Sequence, residues 1–358
     1  MKISPWLRRH GGEGAVEYRG AQLAGPAAGA ALDAPFPAAA LCDWSFRSAL
    51  RVEGPEARKW LNGIITANVR DLAPGRTAPS LLLNPKGHIL AMFDLAALAS
   101  DAFLLLASED QRTALLEGLR RFVFRSQLTI TDIGAETVSL AVCGSAAEAA
   151  LGRADFSALP TLGGWIAAEA PASKSAVHLF HWRLGQIETV EIFGTLNAVA
   201  AAYDALAAQA APLSAAAWDR RLLLEGVPLF GRDIHTGTLP PEAGLMSAIG
   251  HNKGCYIGQE IVERIRARGQ VHRQRLGFRF SGPVQAGERI RAGDGEAGEL
   301  SATVALGSGP YSGLYAAVGY LRREAEESGA PLTAAGVPGE IAAFPLDSLA
   351  AVEGIRET

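Results

Sequence analysis

Ser80-Leu81-Leu82-Leu83-Asn84-Pro85-Lys86-Gly87-His88-Ile89-Leu90-Ala91-Met92-Phe93 sets two apolar runs on either side of a four-residue turn signal. Asn and Gly accept the backbone angles of tight turns, and Pro presets one of them. The stretch predicts an antiparallel hairpin whose second run extends to Ala97. Upstream, 48–53 alternates Ala49, Arg51 and Glu53 against Leu50 and Val52, as a half-buried strand does. Gly54-Pro55 then opens a helix, with Pro in the first turn where its missing N–H does no harm. Trp60, Leu61, Ile64 and Ile65 follow at helical spacing. Downstream, 101–107 reads as a strand, 109–124 as a helix with Leu115, Leu116, Leu119 and Phe122 on one side, and 127–132 as a strand. Strand, helix, hairpin, strand, helix, strand is an α+β order with antiparallel pairing. A doubly wound sheet would instead alternate strand and helix strictly.

The same alphabet returns along the chain. Strands are expected at 138–142, 165–168, 177–182 and 187–193, and helices at 146–151, 196–209 and 215–225. Two similar α+β halves follow from this order. After Gly269 come short alternating strands punctuated by glycine, at 271–280, 288–291, 300–306 and 314–320, which suit a small barrel or sandwich. The expected division is a leader or first strand with linker over 1–40, two α+β units over 41–270, and a β-barrel over 271–358.

The composition of the 358 residues, with 49% hydrophobic and 20% charged, is that of a globular chain long enough to bury a full core. The net charge of −4 argues against nucleic-acid binding over the whole surface. Three cysteines, Cys42, Cys143 and Cys255, without a CxxC pair, neither build a disulfide framework nor supply a four-thiolate metal site from one chain. The N-terminus lacks the apolar run of a secretory signal, and no apolar stretch reaches the roughly 18 residues of a membrane span. A cytoplasmic protein without a membrane partner is expected.

The densest chemistry lies in Lys253-Gly254-Cys255-Tyr256-Ile257-Gly258-Gln259-Glu260, with Arg264 and Arg268-Gly269 beyond it. Ile257, Ile261, Val262 and Ile265 share a helical face, which puts Cys255 just before the helix or in its first turn. Unpaired N–H groups and the helix dipole stabilise a thiolate there, and Lys253 adds to the effect. The plain alternative is a small, inert buried residue. Between Lys253 and Arg275, six cations (Lys253, Arg264, Arg266, Arg268, Arg273 and Arg275) stand against Glu260 and Glu263. They form either a patch for an anion or an acidic partner, or a solvated helix face.

This segment resembles the K-G-C-[YF]-x-G-Q-E-x-x-x-R-x-x-x-R-G motif of the folate-binding YgfZ family. Val52-Glu53-Gly54, Leu61-Asn62-Gly63, Thr66, Leu83–Gly87, Glu225–Asp233, Leu239-Pro240 and Glu242 extend the resemblance. The wider superfamily includes the glycine-cleavage T-protein, an aminomethyltransferase. The resemblance implies two ferredoxin-like α+β units of the aminomethyltransferase folate-binding fold plus a small C-terminal β-barrel. It further implies a tetrahydrofolate cofactor and a role in iron–sulfur cluster assembly or repair. Assembly proteins, client iron–sulfur enzymes including tRNA-modifying ones, and tRNA would be partners. Cys255 would be the working thiol, by nucleophilic attack, by ligating a cluster transiently with a partner, or by redox relay. One thiolate cannot hold a cluster alone.

Carried onto this sequence, Glu191 falls where the T-protein glutamate grips the pterin edge. Arg232, Glu242, Tyr256 and Gln259 are further folate candidates. Asp94 arrives two or three residues after the T-protein's catalytic Asp position. An odd shift turns a strand side chain to the other face, and a bulge would restore it. That departure, with the Cys-Tyr pair the T-protein lacks, disfavours aminomethyl transfer, the alternative reading with Asp94 as its catalytic group. A purely RNA-binding module ranks behind both, because the chain lacks an aromatic-interleaved basic sheet.

Overall fold

A computed structural model describes residues 2–6, 14–24, 35–269, 271–307 and 312–348. These residues pack into two compact units. One gathers Phe36–Trp218, Ser247–Gln259 and the described N-terminal residues, and the other gathers Asp219–Met246 with the described residues from Glu260 onward.

In the first unit the expected order is observed twice. The first half runs strand Arg47–Glu53, helix Ala57–Ile64, hairpin Thr77–Leu83 and Ile89–Ala97, strand Ala102–Ser108, helix Glu109–Arg120, strand Thr129–Asp132. The second runs Val138–Cys143, helix Ala147–Arg153, Trp165–Glu169, Ala176–Leu184, Ile187–Gly194, helix Leu196–Leu206, Ala211–Leu213. Each sheet places its hairpin at one edge, then the fourth strand, then the first. The sheets differ in one insertion: Ala40–Asp43 lies between Val138–Cys143 and Ala211–Leu213 in the second.

Alternation explains the layering. In the first half Leu50, Val52, Phe93, Leu95, Phe103 and Leu105 pack with Leu61, Leu115 and Leu119 of the helices. In the second, Leu140, Val142, Leu179, Val190 and Ile192 pack with Leu151, Val199 and Leu206. The opposite faces of the two sheets look toward each other. Trp165 Nε1 donates to Ala97 O at 2.8 Å and Thr77 N to Gly163 O at 3.0 Å, tying sheet to sheet.

The hairpin turn is built as its sequence predicts. Asn84 Oδ1 accepts from Lys86 N and His88 N, Gly87 N donates to Asn84 O, and Gly87 takes φ +79°. A register shift between Leu82 and Leu83 leaves Leu90 as an extra residue opposite them, a β-bulge.

Some expectations need correction. The helix expected over 109–124 ends at Arg120, and Phe122 and Phe124 are exposed. Phe122 O leaves the helical ladder to accept from Trp60 Nε1 at 3.0 Å. The helix expected over 196–209 ends at Leu206. Of the expected leader, 7–13 and 25–34 lie outside the described residues. Lys2–Ile3, Ala15–Tyr18 and Ala21–Ala24 form a three-stranded sheet.

In the second unit, Arg273–Phe280, Tyr315–Arg322, Gly295–Ala305, Arg289–Ala292, Leu332–Ala334 and Val337–Ala342 close into a six-stranded barrel. Phe278, Phe280, Ile290, Leu300 and Leu321 fill it. No helix among the described residues is long and apolar enough to cross a membrane.

Candidate functional site

Two constellations in the first unit carry chemistry. The first lies between the facing sheets. Arg47, at the head of its strand, is buried. Its Nε and Nη2 donate to the two oxygens of Glu191 at 3.3 Å, and Nη2 also reaches Asp94 Oδ2 at 2.9 Å. Ser139 Oγ donates to Glu191 Oε1 at 2.7 Å and Trp182 Nε1 to Oε2 at 2.8 Å. Glu191 thus has four protein donors and no exposed surface. The guanidinium lies 5.7 Å from the Trp44 ring centroid and 5.8 Å from that of Trp182. Burial opposes the Arg47 charge, but Glu191 and Asp94 together outweigh it and raise its pKa. Asp94 keeps 31% of its side chain exposed and is the acid of this group that solvent reaches. Its pKa is raised, enclosure by the protein being the largest cause and the Arg47 guanidinium acting against it.

Asp94 shares a face with Arg47, on the strand that carries the bulge at Leu90. The bulge lies between the hairpin turn and Asp94, and Asp94 faces Arg47. Trp44 Nε1 and Thr189 Oγ1 are buried near this network with no hydrogen-bond partner. Thr189 is two residues before Glu191 on the same face.

The second constellation is the loop that carries the cysteine motif. Lys253 Nζ donates to Ile65 O at 2.5 Å and Ala67 O at 2.7 Å, and it lies 5.1 Å from the centroid of the buried Tyr256 ring. Burial lowers its pKa to about 7. Thr66 Oγ1 donates to Ala248 O and Gly250 N to Thr66 O, fastening the same two segments again. Gly258 has φ +81°, and a Cβ there would meet Asn84 O at 2.6 Å and Gly87 Cα at 3.0 Å. Only glycine allows the loop to lie against the hairpin turn. Three separate pieces of the sequence, the segment after the first helix, the turn and the cysteine motif, therefore meet in one place.

Gly258 also corrects the helix. Its left-handed backbone breaks the helical path, and the helix starts at Gln259 rather than near Cys255. Gln259 Oε1 accepts from Tyr256 N at 3.3 Å and closes the preceding turn. Cys255 thus lies four residues before the helix, outside its first turn, and Lys253 spends its ammonium on two carbonyls. The thiol is exposed and free. Cys42 and Cys143 are buried with their Sγ atoms 3.2 Å apart, a proximity that spacing in sequence could not reveal. Burial, then the hydrogen bond with Cys143, raises the Cys42 pKa well above the ordinary thiol value.

The remaining candidates belong to the second unit and are paired within it. Arg232 donates to Val227 O at 2.6 Å and lies 3.5 Å from Asp219 and from Asp233. Glu242 pairs with Arg273 at 3.2 Å. Arg264 pairs with Glu260 at 2.5 Å and Arg266 with Glu263 at 3.4 Å. Arg275 is buried against Asp233. Of the cations that the segment's own Glu260 and Glu263 leave unmatched, Arg273 and Arg275 are paired by carboxylates more than thirty residues away. The side chain of Arg268 lies outside the described residues.

Sequence reasoning missed Arg47, Ser139 and Trp182. A signal existed for Arg47, a cation opening an otherwise buried strand. Its partner Glu191 is 144 residues away, and nothing local announces it.

Comparison with known proteins adds a lineage. A family model described as the GCVT N-terminal domain matches residues 10–253. A chloroplastic protein of Arabidopsis thaliana, named as a transferase, is 25% identical over 85% of this chain and 70% of its own. The tRNA-modifying protein YgfZ of Enterobacter sp. (strain 638) is 28% identical over 75% of this chain and 80% of its own. The crystal structure of the glycine cleavage system aminomethyltransferase T from Bartonella henselae superposes with a TM-score of 0.83 at 22% identity, covering 96% of this chain and 98% of that one. The fold is the aminomethyltransferase fold.

Proposed function

The chain belongs to the GCVT N-terminal domain family, and from that premise we propose that it is a folate-binding accessory protein of the YgfZ kind. It supports iron–sulfur cluster assembly or repair, with Cys255 as its working thiol. The observation that carries this reading is the combination at the motif loop. A free, exposed thiol sits on a segment held to the body of its unit by Lys253, Thr66 and Gly258. A loop so held presents its thiol in a fixed place to a partner protein. A cluster bound there would be cargo, with the partner supplying the other ligands.

A reduced folate fits the other constellation. Trp44 Nε1 and Thr189 Oγ1 are unpartnered there, and Asp94 offers a carboxylate open to solvent. A pterin edge presents donors and acceptors together, and these groups complement it. Glu191 accepts from such an edge only where Arg47 or Trp182 yields, because both of its oxygens are already bonded. Folate, when bound, would supply one-carbon or redox chemistry. The chain's own residues bind and orient it. Client iron–sulfur enzymes, including tRNA-modifying ones, and a cytoplasmic location complete the proposal.

One observation favours a second reading, aminomethyl transfer. Asp94 stands beside Arg47 with its pKa raised, as a group handling a proton near an amine would. Titration of tetrahydrofolate into wild type, Cys255→Ala and Asp94→Ala, followed by a one-carbon turnover assay and reactivation of a cluster-dependent enzyme, separates the two. The accessory reading expects equal folate binding in wild type and Cys255→Ala, no turnover, and loss of reactivation in Cys255→Ala. Turnover that survives Cys255→Ala and disappears in Asp94→Ala would replace it with the transferase.

A further inference from the structure

We propose that Glu148, His181 and Glu188, in the second half of the first unit, form a binding site for a zinc-like divalent transition-metal ion. One ligand atom from each lies within 4.8 Å of the other two. His181 is 5% exposed. Its Nδ1 is 3.1 Å from Pro160 O, and a carbonyl can only accept, so Nδ1 carries the proton and donates. In the neutral ring this leaves the lone pair on Nε2. That atom is buried and has no hydrogen-bond partner.

A ring nitrogen fixed as an acceptor by a backbone carbonyl on the other nitrogen is the arrangement by which proteins orient metal-binding histidines. Nε2 points toward Glu188, whose Oε2 is 3.7 Å away, beyond hydrogen-bond reach. The other oxygen of Glu188 is held by Arg183 Nη2 at 2.6 Å. Glu188 therefore turns one oxygen to a cation it already has and leaves the second facing Nε2, the lone-pair nitrogen of the neutral ring. A cation between Nε2 and Oε2 would satisfy both.

Glu148 stands in the first turn of helix Ala147–Arg153 and is exposed, so its carboxylate is free to close on the ion. Tetrahedral ligands at zinc distances lie about 3.4 Å apart. The exposed Glu148 and half-exposed Glu188 need only side-chain rotation to reach that spacing, while His181 stays fixed. One imidazole with two carboxylates suits borderline ions such as zinc or cobalt, and three protein ligands leave a fourth position for water. The ion would link helix Ala147–Arg153 to the two strands that carry Trp182 and Glu191, clamping these strands behind the Arg47 network.

The test is titration of the full chain with Zn²⁺ against a competing chelating dye, paired with Co²⁺ absorption spectroscopy. One equivalent should bind, weakened by roughly tenfold or more in Glu148→Gln and Glu188→Gln, which alter accessible side chains and leave the fold intact. His181→Gln should lose the site, and Arg183→Ala should tighten it by freeing a Glu188 oxygen. The Co²⁺ spectrum should lack thiolate charge-transfer bands, and Zn²⁺ should raise the melting temperature of wild type more than that of Glu188→Gln. Absence of saturable binding, binding in both glutamate variants as tight as in wild type, or a thiolate band that disappears in Cys255→Ser would overturn the proposal.

Discussion

The two α+β halves of the first unit share one plan and differ in where they place a single carboxylate. Strand register makes the positions comparable. In the first half Ala49 pairs with Leu106, and Leu106 with Asp94. In the second half Ala141 pairs with Glu191, and Glu191 with Phe180. The return strand of the hairpin therefore bears the acid in one half and a phenyl ring in the other. The next strand inside bears a leucine in one half and the acid in the other. The heads of the first strands match too: Arg47 corresponds to Ser139, and both donate to Glu191. A repeated scaffold yields a polar site by breaking its own symmetry, with one cation and two staggered acids from sheets that face each other.

This comparison predicts unequal costs for removing the two acids. Glu191→Ala strips a buried guanidinium of its main partner and leaves the Ser139 and Trp182 donors unmet. A loss of about 3–5 kcal/mol in denaturant unfolding is expected, the scale for breaking a buried pair. Asp94→Ala removes a partner that is 31% exposed, and Arg47 retains Glu191. Its expected cost is about 1 kcal/mol or less. Equal losses would show that the two acids share the charge evenly, and the contrast between the halves would fall. A double-mutant cycle of each acid with Arg47→Met would assign the coupling directly.

A smaller effect concerns what is docked on the first half, whose loop after the helix holds Lys253 through Ile65 and Ala67. Burial depresses this amine to about 7 from its usual 10.5. Below about 7 both the folded and unfolded chains are protonated, and the folded state carries the full cost of burying the charge. Between about 7 and 10.5 the unfolded chain binds more protons, so this contribution to stability rises with pH. The stability of wild type relative to Lys253→Met should increase across that window. A flat difference would mean that the two carbonyls hold the ammonium without cost.

The α+β order, the hairpin, its turn and four of the six described barrel strands were legible in the sequence because alternation, helical spacing and turn residues mark them locally, whereas Leu332–Ala334 and Val337–Ala342 were not. Helix ends were less legible. The turn that hands Phe122 O to Trp60 and the left-handed Gly258 that delays the last helix to Gln259 both depend on partners elsewhere in the chain. The cysteine motif stood out in sequence, whereas the anchoring of Lys253 on residues 65 and 67 did not. Arg47 was overlooked beside the prominent arginines after Lys253, which folding pairs with Glu242, Asp233, Glu260 and Glu263.

The sequence by itself determined the main strands and helices of the two α+β halves, that their order repeats, and that Cys255 sits among glycines beside a lysine. Tertiary structure decided which charges meet. It brought Glu191 onto Arg47 across 144 residues, left Cys42 and Cys143 in contact, and aimed an unpartnered His181 nitrogen at Glu188. Periodicity encodes the face a side chain occupies, while the partner across a packed interface is fixed only when two sheets close and water leaves. Burial then makes an unmatched charge costly enough to select its counterpart.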